Sequence, residues 1–137
     1  MSRMRSAAIV MAVACLWFAV AVQGEQTTYK APIGSDGVQR IEMAAGEFFF
    51  NPSRVIVKVN VPVELRIKKE PSLVPHRIVL KAPEAGIDIY ESLSSEPKII
   101  TFTPKKTGTY PFYCDHKFLF FKSHRDRGME GVLEVVE

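Results

Sequence analysis

From position 38 onward the chain runs in short stretches where apolar and polar residues alternate, and each stretch is stopped by Gly, Pro or Asn. Val63, Leu65 and Ile67 interleave with Glu64, Arg66 and Lys68, a period of two that turns one face of a strand to a core and the other to water. The same pattern predicts strands at 38–43, 48–50, 54–59, 63–68, 76–80, 99–102, 109–113 and 132–136. The breaks at Asn51-Pro52, Asn60-Val61-Pro62, Glu70-Pro71 and Lys105-Lys106-Thr107-Gly108 are turn formers, through a fixed φ, tolerance of left-handed backbone or a missing donor. About eight strands in so short a span predict an all-β sandwich. Between Pro83 and Pro97 no clean period emerges, so Ala85 to Leu93 reads equally as a short helix, a loop or an edge strand.

The N-terminal pattern is different. Arg3 and Arg5 precede an unbroken apolar run from Ala7 to Val22, and Gln23, Gly24 and Glu25 end it. Sixteen residues fall short of the roughly 18 or more that span a bilayer, and the basic, apolar, small-residue order is that of a secretory signal. Cleavage after Gly24 divides the chain into a signal at 1–24 and one domain at 25–137, located in the periplasm. Length supports a single domain: 137 residues leave no room for a second substantial core. Loss of Arg3 and Arg5 lowers the net charge from +3 to +1, with 16 Lys+Arg against 15 Asp+Glu. A near-neutral domain lacks the basic footprint of a nucleic-acid binder.

Cleavage also removes Cys15, leaving Cys114 as the sole cysteine of 25–137. No intramolecular disulfide can form, and a lone thiol in an exported protein asks for a chemical reason. Close to it follow His116, His124 and Met129, two of the chain's three histidines among them; the third, His76, opens the run Val74-Pro75-His76-Arg77-Ile78-Val79-Leu80. A thiolate, imidazoles and a thioether are the donors of a trigonal copper site with a weak axial sulfur. Zinc, with Asp115 completing the set, competes less well, because structural zinc sites use more thiolates at short paired spacings.

These segments resemble the cupredoxins, the plastocyanin and azurin family of blue copper proteins, over nearly all of 25–137. Thr109-Tyr110-Pro111-Phe112-Tyr113-Cys114 is similar to that family's cysteine-bearing strand, and His124, Gly128, Met129 and Gly131 reproduce its H-x3-G-M-x-G ending. The stretch around His76 is similar to the one carrying the upstream histidine, and Phe48-Phe49-Phe50-Asn51-Pro52 to an early strand and turn. The resemblance implies a cupredoxin-like Greek-key β-sandwich holding one type 1 copper ion through His76, Cys114, His124 and Met129. It implies an electron carrier rather than an enzyme, a monomer or weak dimer serving a redox protein that is soluble or membrane-bound.

Two departures stand out. Nine residues separate Cys114 from His124, a lengthened ligand loop, and His116 offers a competing imidazole; His124 is preferred because Gly128 and Met129 continue it. Arg77 stands where many relatives place an Asn that braces the ligand loops, which puts that bracing in question. Within the loop, Phe118-Leu119-Phe120-Phe121 reads as a local core folded over the pole of the sandwich, ahead of a docking surface. Lys117, Lys122, Arg125 and Arg127 read as a solvated rim able to steer an acidic partner. The alternative function is an accessory role in bacterial ferrous-iron uptake beside an iron permease system, with Asp115, Asp126 and Glu130 as oxygen donors near the copper. Copper storage fits less well, since 25–137 holds only Met43 and Met129.

Overall fold

In the computed structural model, which describes residues 26–137, alternation in sequence becomes alternation in burial. The strands are β1 (Thr28–Lys30), β2 (Gln39–Gly46), β3 (Phe49–Asn51), β4 (Arg54–Lys58) and β5 (Val63–Lys69). They continue with β6 (His76–Ala82), β7 (Ile87–Leu93), β8 (Lys98–Phe102), β9 (Gly108–Tyr113) and β10 (Glu130–Val136). Val63, Leu65 and Ile67 of β5 are buried while Arg66 and Lys68 are exposed, and Val55 and Val57 of β4 repeat the pattern. The expected signal at 1–24 lies outside the described residues.

Two sheets result, one of six strands in the order β1-β4-β10-β9-β6-β7 and one of four in the order β3-β2-β5-β8. Their inner faces share a core that includes Ile41, Ile67, Ile78, Ile87 and Leu133, each at most 3 % exposed, and full burial of such a side chain stabilises by about 1.5–3 kcal/mol. Across it, Phe50 of β3 meets Phe112 of β9 edge to face, with ring centroids 5.3 Å apart. The all-β sandwich read from the sequence is therefore the observed architecture, with ten strands rather than eight.

The two additional strands have physical reasons for escaping the pattern. All three residues of β1 are exposed, so this edge strand, parallel to β4, carries no alternation. The undecided segment folds as a single 3-10 turn at Pro83–Ala85 followed by edge strand β7, with Gly86 in left-handed backbone (φ 69°) between them. Phe48, expected to begin a strand, instead has φ 63° and turns the chain from β2 into β3.

Candidate metal centre

Strand parity brings two donors inward. His76, Ile78 and Leu80 are all buried along β6, as are Tyr110, Phe112 and Cys114 along and just beyond β9, so each donor sits on the core-facing row of its strand. The strands are neighbours, with Val79 opposite Tyr113. The third donor, His124, comes from the connection between β9 and β10, where Arg125–Arg127 form one 3-10 turn.

The donor atoms of His76, Cys114 and His124 all lie within 4.8 Å of one another. The two Nδ1 atoms are 3.3 Å apart, and the Cys114 sulfur is 3.4 Å from Nδ1 of His124. Cys114 and His76 are essentially inaccessible, and His124 reaches the surface at 8 % exposure. Burial pushes the His76 imidazole down to about 4, assisted by the neighbouring charges of His124, Lys69 and His116. It lowers His124 as well, with help from His116 and Arg127, so both rings are neutral near pH 7 and keep a lone pair for a metal. The Cys114 thiol is pushed up by burial, while the backbone N–H of Arg77 donates to its sulfur at 3.3 Å. Two neutral imidazoles and a thiol already served by one donor fit a thiophilic cation, which would replace the thiol proton on binding. Nε2 of His76 is buried with no hydrogen-bond partner among the described residues, so the ring's one polar contact is through Nδ1 to His124.

Met129 is completely buried, and its backbone joins both neighbours: its N–H donates to the His124 carbonyl at 3.0 Å and its carbonyl accepts the Cys114 N–H at 3.1 Å. The motif glycines have backbone reasons. Gly128 takes φ 94° to end the 3-10 turn, a conformation costly for other residues. At Gly131 a Cβ would come within 2.3 Å of the Ser53 carbonyl oxygen and 2.4 Å of the Phe112 ring.

His116 stands outside the donor cluster. Its carbonyl accepts the His124 N–H at 2.8 Å and its ring centroid lies 6.0 Å from that of His124. That hydrogen bond pinches the loop at its base, so residues 117–123 form an excursion. The expectation that Phe118–Phe121 make a local core is overturned: these side chains are 68, 68, 100 and 58 % exposed, because the pinched excursion turns back before it can cover the pole.

The cover comes from residues that the sequence places elsewhere, Phe48 in an early strand and Arg127 in a solvated rim. The Phe48 ring stands edge-on to His124 at 5.1 Å, and the Arg127 guanidinium lies over Phe48 at 4.8 Å. Arg125, expected in a solvated rim, lies 4.1 Å over the Tyr113 ring and pairs with Glu130 at 3.0 Å. Three adjacent aromatics ending in Asn-Pro were the available signal for Phe48, but only the turn tells which ring leaves the sheet. Of the carboxylates considered for iron, Asp115 pairs with Arg77, Asp126 accepts from the hydroxyl and N–H of Ser123, and Glu130 pairs with Arg125.

Two face-packed sheets with a buried His–Cys–His donor set at one pole define a β-sandwich equipped for a thiophilic metal. The family model described as a cupredoxin-like domain matches residues 8–128, and the chain belongs to that family. It is similar to the metal-binding domain of the Cu(I)-exporting P-type ATPase CopA of Streptococcus pneumoniae, solved with Cu(I). That match has 26 % identity and a TM-score of 0.59, covering 83 % of this chain and 100 % of that one. Auracyanin from Roseiflexus castenholzii shares the fold at 23 % identity and TM-score 0.55, covering 72 % of this chain and 97 % of its own. Auracyanin A, the "blue" copper protein of Chloroflexus aurantiacus, shares it at 22 % and 0.55, covering 73 % and 100 %. Among curated proteins none matches.

Proposed function

We propose that this is an exported, periplasmic electron carrier of the blue copper kind, holding one copper ion through His76, Cys114 and His124 with Met129 as weak axial donor. The observation that carries the reading is the convergence of two Nδ1 atoms and one sulfur, separated by 3.3 and 3.4 Å where they meet at His124, on three buried residues of which only His124 touches the surface. Copper bound there supplies a one-electron couple at a thiolate. The chain's part is to hold still. His76 and Cys114 stand at strand ends packed into the core, and the Arg77 N–H steadies the sulfur, so little needs to move when charge changes. His124, the donor nearest the surface, is the side from which a redox partner exchanges the electron.

The iron reading has no observation in its favour, since its three carboxylates are engaged locally. The test is reconstitution with Cu(II). One equivalent should give an intense visible thiolate-to-copper band and a reversible one-electron wave in voltammetry. Binding of Cu(I) with no stable oxidised form would overturn electron carriage and favour copper delivery, the chemistry suggested by the Cu(I)-bound domain it resembles.

A further inference from the structure

The turn at Phe118–Phe121 plays no part in holding a metal, and its build is unusual for a surface turn. Turns exposed to water favour Gly, Pro, Asn, Asp and Ser; this one presents four large apolar side chains in sequence, with Phe120 fully exposed. It nonetheless has internal contacts of its own. The Phe121 N–H donates to the Phe118 carbonyl at 3.0 Å, the two rings stack with centroids 6.2 Å apart, and Leu119 occupies left-handed backbone at φ 48°, where a branched side chain is uncommon.

Lys117 and Lys122 bracket the turn, and Arg125 and Arg127 follow, against Asp126 and Glu130, so this segment carries two net positive charges. Asp126 is held by Ser123, and Glu130 by Arg125.

We propose that this turn is a membrane anchor: Phe118, Leu119, Phe120 and Phe121 enter the interface of an anionic lipid bilayer while Lys117 and Lys122 meet its headgroups. Phe and Leu bury their apolar area at the boundary of headgroups and acyl chains, and lysines let the stem lie along apolar material while the ammonium stays with phosphate. Four exposed apolar side chains crowded on one turn tip suit a deformable lipid surface better than a protein face, which needs a matching pocket for each anchor. Because the turn lies between Cys114 and His124, lipid binding would set the metal-bearing pole against the membrane. The surface itself stands independently of any metal.

The test uses the full chain with Trp17→Phe, which removes its sole tryptophan, and Phe120→Trp as a reporter. On phosphatidylglycerol vesicles the emission should shift to the blue and be quenched by brominated acyl chains, and added salt should weaken binding. On phosphatidylcholine vesicles the blue shift and quenching of the reporter should be markedly smaller. Lys117→Gln with Lys122→Gln should weaken binding by about five-fold per lysine, and Phe118→Ser with Phe121→Ser should abolish quenching. A reporter that keeps its aqueous emission on anionic vesicles overturns the proposal, even when the chain sediments with lipid through its N-terminal apolar run. So does a blue shift that follows protein concentration or an added redox protein instead of lipid, which would make the turn a protein-docking surface.

Discussion

The guanidinium of Arg77 donates to the Asp115 carboxylate at 3.0 Å, tying the residue after His76 to the residue after Cys114. The same guanidinium donates to the Tyr90 hydroxyl at 2.8 Å and lies 4.4 Å over that ring, so β7 braces it from the far side. The bracing put in question by an Arg at this position is thus present in another form, built from an ion pair and a backbone N–H on the sulfur.

Breaking this brace should therefore affect the metal centre more than the fold. The pair is partly exposed, at 22 and 32 %, so a double-mutant cycle of Arg77→Ala and Asp115→Asn should give a coupling of only about 0.5–1 kcal/mol. Either variant should keep the visible band of the copper-loaded protein, since the Arg77 backbone N–H survives, but move its reduction potential. Arg77→Lys should fail to restore it, because both bonds come from the terminal Nη1, which a shorter lysine does not reach, and an ammonium lacks the flat face that lies over the Tyr90 ring. An unmoved potential in every variant would reduce the pair to an ordinary surface contact.

The competition between the two loop histidines gives the second prediction. His124→Ala removes one of the three converging donors and should abolish the native visible spectrum. His116→Ala should leave it largely intact, because the backbone groups of His116 that serve the site, a carbonyl to His124 and an N–H toward Cys114, are ones alanine also has. Cys114→Ser should eliminate the band altogether. Absorption spectra of the three copper-loaded variants decide the matter; loss of the band in His116→Ala and not in His124→Ala would exchange their roles.

How much of this was legible beforehand depended on whether burial and residue type agree. In β5 they do: Val63, Leu65 and Ile67 are apolar and buried, and the strand was readable. In β7 the exposed Tyr90, at 53 %, follows buried Ile89 and blurs the alternation that Ile87 and Ile89 begin. The donor cluster was legible because scarce residue types gather near the C-terminus and Gly128 and Met129 follow His124. The fate of Phe118–Phe121 was not, because an apolar run of four says nothing about whether the chain can fold back over it. That outcome rests on the hydrogen bond between His124 and His116 at the loop's base. Arg77 escaped for a related reason: sequence position does not reveal where a long side chain ends.

Gln39 supplies a stability prediction at the pole remote from the donors. It is wholly buried in β2, yet its Oε1 accepts the Lys58 N–H at 2.7 Å and its Nε2 donates to the carbonyls of Lys58 and Val61, both at 3.2 Å. One side chain thereby ties the four-stranded sheet to the end of β4 in the six-stranded one. Gln39→Leu is close in size but strands those backbone groups, and each unsatisfied buried group costs about 1–3 kcal/mol. Denaturant unfolding should show a loss of about 2–4 kcal/mol, with the copper spectrum unchanged. A loss under about 0.5 kcal/mol would mean that water replaces the side chain there.

The last prediction concerns Met129, whose backbone is bonded to that of both Cys114 and His124 while its side chain is fully buried. As a weak axial thioether it would tune the site more than hold it, so Met129→Leu should retain copper. Loss of the thioether withdraws electron density that favours the oxidised ion, and the apolar replacement keeps water out, so the reduction potential should rise. Stability should change by less than about 1.5 kcal/mol, since leucine and methionine are nearly equal in volume. That small cost is also what a methionine serving only as packing would give, so stability alone does not discriminate. The potential does: voltammetry of the two copper-loaded forms should show the leucine variant at the higher value. The backbone bonds from Met129 to Cys114 and His124 do not depend on its side chain, so the loop should keep its shape and the shift should report the sulfur alone. An unchanged potential together with an unchanged spectrum would leave Met129 in the core and the centre with three donors.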